Sequence, residues 1–359
     1  MSFKCGIVGL PNVGKSTLFN ALTKSKNAQA ANFPFCTIEP NIGVVTVPDE
    51  RLEKLSNIAK SEKIIPTYIT FVDIAGLVAG ASKGEGLGNK FLANIREVDA
   101  VIHMLRCFDS SEIQNVNKTV DPIRDLETVE TEMMISDLES VEKRLSQKKN
   151  KNNDINKDTF DILEHVYESL KKGIRPEKLE EKFDKKLVKN LGILSTKPRI
   201  LVCNVDEESV NSGNSYSQKI KEKFKNDTVV IVSAEIEQQI TELKDFEASE
   251  FMKEIGIKES GLDQIIKAGY KILNLTTYFT VGPKETHAWT IEKNCKAPDA
   301  AEVIHSDFKK GFIKAEVISY IDYIQYAGEV GARDNGKLKI EGKDYEVADG
   351  DVLHFRFNT

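Results

Sequence analysis

A phosphate-binding loop lies near the start of the sequence. The stretch GLPNVGKS, Gly9 to Ser16, matches the pattern G-x-x-x-x-G-K-[ST] between a predicted strand and a predicted helix, STLFNALTK. In such a loop the backbone N–H groups cradle phosphates, Lys15 reaches the β and γ oxygens, and Ser16 binds Mg2+. The pattern therefore predicts a nucleoside triphosphate site whose contacts in this part of the chain are Asn12, Val13, Gly14, Lys15, Ser16 and Thr17.

Two further segments carry residue types that sense a γ-phosphate. DIAG, Asp73 to Gly76, is an Asp-x-x-G motif in which Asp73 can hold Mg2+ through water and the Gly76 N–H can bind the γ-phosphate. Thr37 in NFPFCTIEP is the candidate threonine that closes on Mg2+, and an ordinary loop threonine is the alternative. The glycine-rich stretch after Gly76 predicts a mobile switch segment. The predicted catalytic residues are Lys15, Thr37 and Gly76, and the predicted Mg2+ ligands are Ser16, Thr37 and Asp73.

The segment LVCNVDE, residues 201–207, occupies the place where a GTPase reads its base with Asn-Lys-x-Asp. Guanine offers its N1–H and N2–H donors to that aspartate, whereas adenine offers an acceptor at N1. Here Val205 replaces the lysine whose stem would cover the base, and Glu207, one methylene longer, replaces the aspartate. Guanine donors left unpaired would cost about 1–3 kcal/mol, roughly a 5- to 150-fold loss of preference. The loop therefore favours ATP; Asp206 or Glu207 turning into the guanine-reading position is the alternative.

Other base contacts are expected from Asn204 and from the segment SAE, residues 233–235. Asn204 either accepts a hydrogen bond from the adenine amino group or braces the loop. Ser233 and Ala234 are expected to supply backbone contacts near the base. The predicted nucleotide-binding residues in this half of the chain are Asn204, Val205, Glu207, Ser233 and Ala234.

These motifs lie at the ends of short apolar runs that alternate with helical stretches. The runs cover residues 3–10, 42–47, 68–76, 100–108, 199–205 and 229–234. Continuous apolar strands that alternate with helices indicate a parallel sheet covered on both faces. We therefore predict an α/β fold, a P-loop domain built on a doubly wound, mostly parallel sheet.

Two other regions depart from this α/β pattern. Apolar residues recur three and four positions apart from Leu126 to Leu145 and from Phe160 to Leu170, which predicts an inserted helical hairpin. After Leu275, short alternating strands with one helix at residues 300–308 predict a small α+β domain. The predicted limits are 1–125 and 196–275 for the two parts of the P-loop domain, 126–195 for the hairpin, and 276–359 for the C-terminal domain.

Composition restricts the class of protein and its partners. The 359 residues are 40% hydrophobic, enough for a substantial core, and the formal net charge of -6 does not favour nucleic-acid binding over the whole surface. Positive charge is concentrated at residues 141–190, with 14 Lys and Arg against 10 Asp and Glu. A solvated helical face and a partner-binding surface both fit that excess. The five widely spaced cysteines fit a reducing cytoplasm, and neither a membrane nor DNA is an expected partner.

Five stretches together resemble the Obg-like ATPases, the YchF group of translation-factor-class P-loop proteins. They are GLPNVGKST, NFPFCTIEPN, DIAGLVAGASKGEGLGNKFL, the Asn-x-x-Glu at residues 204–207, and AGYKILNLTTYFTVGPKETHAWTI. The resemblance covers essentially the whole chain. It implies a G domain interrupted by an antiparallel coiled coil, a C-terminal TGS domain of β-grasp type, association with ribosomal RNA or protein, and a preference for ATP over GTP.

The residues that would activate water depart from related patterns. Leu77 follows DIAG where many GTPases place a glutamine, and Asn115 stands where members of the group often carry a histidine. An amide can orient water but cannot act as a general base, so turnover is expected on the order of 10⁻³ per second or less. Asn12 occupies the place of a K+-coordinating asparagine in potassium-dependent relatives, which makes K+ a candidate second ion; bracing the loop is its alternative role. His103, inside a predicted strand, is expected to be a satisfied core residue.

The sequence thus predicts a ribosome-associated P-loop protein that slowly hydrolyses ATP as a conformational switch. A GTPase of the same architecture is one alternative. A non-hydrolysing ribosome-binding module, whose nucleotide is structural, is the other, because Leu77 and Asn115 leave the activation of water unexplained.

Overall fold

The computed structural model describes residues 3–24, 41–74, 87–111, 113, 119–149, 156–177 and 179–358. The β-strands are β1 (Phe3–Val8), β2 (Ile42–Thr46), β3 (Lys63–Ile65), β4 (Tyr68–Asp73), β5 (Ala100–Arg106), β6 (Arg199–Asn204), β7 (Thr228–Val232), β8 (Leu275–Val281), β9 (Glu285–Glu292), β10 (Phe312–Ile318), β11 (Lys339–Glu341) and β12 (Val352–Phe357). The α-helices are α1 (Lys15–Lys24), α2 (Arg51–Ala59), α3 (Leu87–Glu97), α4 (Pro122–Lys149), α5 (Lys157–Lys171), α6 (Lys185–Asn190), α7 (Ser215–Lys223), α8 (Ala234–Glu242), α9 (Asp245–Glu254), α10 (Gly261–Ile272), α11 (Ala297–Ile304), α12 (Ser306–Lys310), α13 (Tyr320–Gln325) and α14 (Glu329–Asp334).

The first sheet carries the predicted nucleotide motifs. Its strand order is β2-β4-β1-β5-β6-β7, with every pair parallel except β2 with β4. Every residue of β5 and β6 is buried, as continuous apolar runs require of central parallel strands. Apolar residues of α1, α3 and α10 join the strands in one core. The predicted α/β fold with a doubly wound, mostly parallel sheet is confirmed.

The predicted helical pair follows β5. Helix α4 packs along α5, and Val141 shares a buried cluster with Ile162, Leu163 and Val166. Asp137 of α4 fixes the chain where it returns to the sheet, because its buried carboxylate accepts hydrogen bonds from Leu194 N, Ser195 N and Ser195 Oγ at 2.7–2.9 Å. The insertion therefore has a rigid attachment to the first sheet.

A second attachment of the insertion is an ion-pair network around Arg199 of β6. Its guanidinium, 6% exposed, pairs with Glu130 of α4 and with Asp227 just before β7, the latter at 2.8 Å. A planar guanidinium with five donors can serve both carboxylates at once. The network therefore joins the first helix of the insertion to two neighbouring strands.

The C-terminal region forms a second sheet, of order β11-β10-β12-β8-β9-β3. The expectation of one helix at residues 300–308 is wrong, because α11 and α12 divide that segment at His305 and two more helices, α13 and α14, follow. Helices α13 and α14 have six residues each, less than two turns. Such lengths are too short to display the helical period from which helices are predicted.

A segment between β2 and β4 belongs structurally to the second sheet. Strand β3 pairs with β9, and Leu52 and Leu55 of α2 pack against Phe279 of β8 in a shared core. Ser61 Oγ also donates to Gly282 O at 2.7 Å. The sequence limits 1–125 did not anticipate this packing, which pairs residues more than 200 positions apart; the four domain limits stay a prediction.

Among the residues that the structure describes, no helix is both long and apolar enough to cross a membrane.

Candidate nucleotide-binding site

The predicted phosphate loop connects the end of β1 to the start of α1. Asn12 and Gly14 have positive φ angles of 61° and 93°, and Leu18 N donates to Gly14 O at 3.0 Å at the start of the helix. A Cβ on Gly9 would lie 2.7 Å from the carbonyl oxygen of Met104, and one on Gly14 would lie 2.4 Å from Asn204 Nδ2. The two invariant glycines of the pattern are therefore required by close neighbours in the next strands as well as by the turn.

Lys15 and Asp73, predicted to act on phosphate and Mg2+, form an ion pair across the ends of α1 and β4. Their side chains are 11% and 14% exposed, so the pair lies partly out of solvent. Ser16 is exposed on the first turn of α1. A hydroxyl and a carboxylate are hard oxygen donors, the kind that Mg2+ prefers, and they fit an ion that shares its other ligands with phosphates and water. Thr37 and Gly76, with the switch segment after it, lie outside the described residues.

Asn204 braces the phosphate loop from the end of β6. It is 5% exposed, its Nδ2 donates to Val13 O at 2.9 Å, and its Oδ1 accepts from Ala234 N at 2.9 Å. Of the two roles predicted for this residue, bracing is the one that the structure contains. Asn204 thereby joins the phosphate loop to the segment expected near the base.

Both acids of the base loop are engaged in hydrogen bonds. Asp206 caps a short 3-10 helix and accepts from Ser209 N at 2.9 Å. Burial would raise the pKa of this carboxyl, but the hydrogen bonds from Ser209 lower it below 3.8, so Asp206 is ionised at neutral pH. Glu207 accepts a hydrogen bond from Gln239 Nε2 of α8 at 2.9 Å. Val205 is buried.

Ser233 and Ala234 open helix α8 beside this loop. Ser233 is the N-cap and Ala234 is bonded to Asn204, so the first turn of α8 is held at the end of β6. One turn further, the buried Glu237 accepts from Gly261 N and Leu262 N of α10. Burial raises the pKa of Glu237 from 4.5 to about 7, more than these two donors lower it, and Asp263 adds to the rise.

The raised pKa of Glu237 has a consequence for stability. Between pH 4.5 and about 7 the folded chain holds this proton more tightly than the unfolded chain does. The proton bound to Glu237 therefore adds to the free energy of unfolding. This contribution is fully present below about pH 4.5 and is lost as the pH rises to about 7.

A cleft of about 1140 Å³ gathers most of the predicted base contacts. Its lining includes Asn12, Gly14, Thr17, Asn204, Val205, Glu207, Ser233 and Ala234. Lys15 and Ser16, between Gly14 and Thr17 in the sequence, lie outside this lining, as does Asp73, which pairs with Lys15. Val13 is buried and takes part through its carbonyl oxygen. The structure thus brings two sequence-distant halves of the predicted site into one cleft, beyond the ends of β1, β6 and β7.

Several lining residues were not predicted from the sequence. The segment after β5 contributes Phe108, whose ring lies 4.7 Å from the guanidinium carbon of Arg106, and Asp109, which accepts from Tyr216 Oη at 2.9 Å. Asn214, the N-cap of α7, donates to Cys107 O at 2.6 Å. A single aromatic or polar residue outside a motif does not indicate in the sequence that it lines a binding site. The one indication is that these residues follow neighbouring parallel strands, where ligands bind in open α/β sheets.

His103 is buried but not satisfied. Its Nδ1 has no hydrogen-bond partner among the described residues, which corrects the sequence expectation. Burial and the nearby charges of Arg199 and Arg175 lower its pKa to about 3, so the ring is neutral at physiological pH. Within the described part of the chain, no group of three or more His, Cys, Asp or Glu side chains could hold a metal ion.

Comparison with known proteins matches two regions of the chain to families. Residues 4–135 match a family described as "50S ribosome-binding GTPase", and residues 275–358 match the C-terminal family named YchF-GTPase_C, described as a protein of unknown function. The "Ribosome-binding ATPase YchF" of Pasteurella multocida is 52% identical and that of Bacillus subtilis 50% identical, each over 100% of both chains.

A solved structure extends this likeness to the fold. The Schizosaccharomyces pombe protein described as a "YchF GTPase" is 40% identical, covers 99% of this chain and 98% of its own, and has a TM-score of 0.86. The names of these relatives differ on the nucleotide, ATP in the bacterial proteins and GTP in the yeast protein. Full-length identity of this degree, together with the phosphate loop and the Asn-x-x-Glu loop in one cleft, shows that the chain belongs to the YchF family of P-loop proteins.

Proposed function

We propose that the chain binds and slowly hydrolyses ATP to ADP with Mg2+, and that it works as a nucleotide-dependent switch on the ribosome in the cytoplasm. The engagement of both acids in the base loop carries this proposal. Guanine needs a carboxylate oriented to accept from N1–H and N2–H, whereas Asp206 is turned toward Ser209 and Glu207 toward Gln239. The names of the bacterial relatives support the same substrate and the same partner.

The phosphate end of the site has the donors that the proposed reaction requires. Lys15 would move from Asp73 to the β- and γ-phosphate oxygens, and Ser16, Thr37 and Asp73 would hold Mg2+ directly or through water. Bound Mg2+ would neutralise charge on the phosphates. Asn12, turned into the cleft at positive φ, is the candidate ligand for K+.

Hydrolysis itself is proposed to depend on positioning more than on a general base. Lys15, Thr37 and the Gly76 N–H would stabilise the charge on the transferred phosphoryl group. Leu77 cannot orient water, and His103 is buried with its pKa lowered to about 3, which makes its ring a very weak base. A slow intrinsic rate, raised by a partner, fits this set of residues.

The base preference is tested by titrating nucleotide-free protein with fluorescent ATP and GTP analogues, with phosphate release followed in K+ and in Na+. We expect ATP to bind at least about fivefold more tightly, because one or two unpaired guanine donors cost about 1–3 kcal/mol. Faster release in K+ would support the role of Asn12. Tighter binding of GTP would instead identify the chain as a GTPase in which Glu207 leaves Gln239 to read guanine.

The coupling to the ribosome is tested by pelleting ribosomes with ADP or with a non-hydrolysable ATP analogue. We expect more protein in the pellet with the analogue, because the triphosphate would order the segments around Thr37 and beyond Asp73 and re-aim the basic insertion and the C-terminal domain. Equal retention with the two nucleotides would contradict a switch. Retention without any phosphate release would favour the non-hydrolysing binding module.

A further inference from the structure

Glu237 joins two helices that otherwise touch different parts of the molecule. It lies in α8 with 1% of its surface exposed, and its two carboxylate oxygens accept from Gly261 N at 2.7 Å and from Leu262 N at 3.2 Å. These are the first two residues of α10. A carboxyl group at this point satisfies N–H groups that the helix itself leaves unpaired, and in its ionised form it also interacts favourably with the helix dipole.

The start of α10 is shaped to receive this carboxylate. A Cβ at Gly261 would lie 2.6 Å from Val232 Cγ1 and 2.8 Å from Glu237 Oε1, so only glycine leaves the carboxylate its place. Ser260 satisfies the next donor, because its Oγ accepts from Asp263 N at 3.0 Å. The contact between Glu237 and α10 is therefore a close-packed junction and not an incidental surface contact.

The other neighbours of α8 connect this junction to the nucleotide cleft. Ser233 and Ala234 line the cleft one turn before Glu237, and Ala234 N is bonded to Asn204. On its far side, α10 is anchored near its end by Tyr270, whose hydroxyl contacts Thr277 Oγ1 at 2.7 Å and donates to Thr290 Oγ1 at 3.1 Å in the second sheet. Helix α10 thus extends from α8 to the C-terminal sheet.

We propose that Glu237 is a positioning residue for base recognition, which holds the Ser233–Ala234 turn against the base by fixing α8 to the start of α10. This inference rests on the proposed nucleotide site. Asn204 holds the turn from the side of β6, and Glu237 holds it from the side of α10. The phosphate loop has its own bonds to Asn204 and does not contact Glu237, so the two ends of a nucleotide should respond differently to a change at position 237.

The test compares Mg2+-ATP with Mg2+-tripolyphosphate, which fills the phosphate loop but has no base. Glu237→Met keeps the volume and removes both acceptors, and Glu237→Gln keeps one carbonyl acceptor. By calorimetric titration we expect about tenfold weaker ATP binding for the Met variant and about threefold for the Gln variant, from the loss of two or one hydrogen bonds. Tripolyphosphate affinity should stay within about twofold, as expected for a contact that does not reach the phosphates.

Asp137→Asn is the matched control, because Asp137 is an equally buried carboxylate that clamps backbone N–H groups in the insertion, away from the cleft. It should lower the melting temperature without changing the ratio of ATP to tripolyphosphate affinity. If the Met variant does not fold, the Gln variant carries the test. An unchanged ratio in the folded variant, or an equal loss for both ligands, would overturn the positioning role. Failure of the unaltered protein to bind ATP would instead overturn the proposed function and, with it, this inference.

Discussion

Replacing Lys15 by alanine should reduce kcat/KM for ATP by about a thousandfold or more. This is the size of the rate loss expected when a group that stabilises transition-state charge is removed. The change removes the only positive side chain paired with Asp73 at the phosphate loop among the described residues. With Asp73 paired to Lys15 only before nucleotide binds, the charge that the variant leaves unneutralised is that of the β- and γ-phosphate oxygens. Losing the ammonium group at these oxygens should weaken nucleotide binding as well as hydrolysis. Phosphate release and nucleotide titration measure the two effects separately.

Lys24→Ala is the matched control, since Lys24 ends the same helix and is exposed. Its kinetics should equal those of the unaltered protein. Lys15→Arg should not restore turnover, because a planar guanidinium cannot replace a compact ammonium in a close-packed loop. If the alanine variant hydrolysed ATP at more than about a tenth of the normal rate, that rate would be far above the one expected without this charge. Such a result would exclude Lys15 from catalysis. Ribosome binding that survives while nucleotide binding is lost would support the non-hydrolysing module.

The second large effect is expected from Asn204→Ala. Asn204 is 5% exposed, and its amide donates to Val13 O and accepts from Ala234 N. Removing the amide therefore leaves a buried acceptor and a buried donor unpaired. Each unpaired group costs about 1–3 kcal/mol, so the two together predict a loss of about 2–6 kcal/mol shared between folding and nucleotide binding. Denaturant unfolding and calorimetric titration divide the loss between those two quantities.

Asn204→Ala should weaken ATP and tripolyphosphate alike, because the phosphate loop loses its brace together with the base loop. This response distinguishes it from the Glu237 variants, whose loss should be confined to ligands with a base. Asn211→Ala serves as the control, since Asn211 is exposed and its Nδ2 donates to Ile255 O away from the cleft. Unchanged tripolyphosphate affinity in the Asn204 variant would show that Asn204 does not support the phosphate loop.

The sequence by itself determined the first sheet and the phosphate loop. Six apolar runs predicted β1, β2 and β4–β7, because a central parallel strand must be apolar along its whole length. Gly9 to Ser16 was recognisable because the residues of a phosphate loop are close together in the sequence. Their spacing in the sequence therefore fixes their arrangement in space. The Asn-x-x-Glu departure at residues 204–207 was visible for the same reason. Thr37 and Gly76 remain predictions, since they lie outside the described residues.

Tertiary structure alone decided how these parts act together. It bonded Asn204 to the phosphate loop, paired Glu207 with Gln239, placed Phe108 and Tyr216 in the cleft, and added β3 to the edge of the second sheet. It also brought Glu237 to the start of α10, where Gly261 leaves room for its carboxylate. These contacts join residues 24 to more than 200 positions apart, and no periodicity or local spacing encodes such a pairing. They arise because buried donors and acceptors must find partners wherever the packed chain places them.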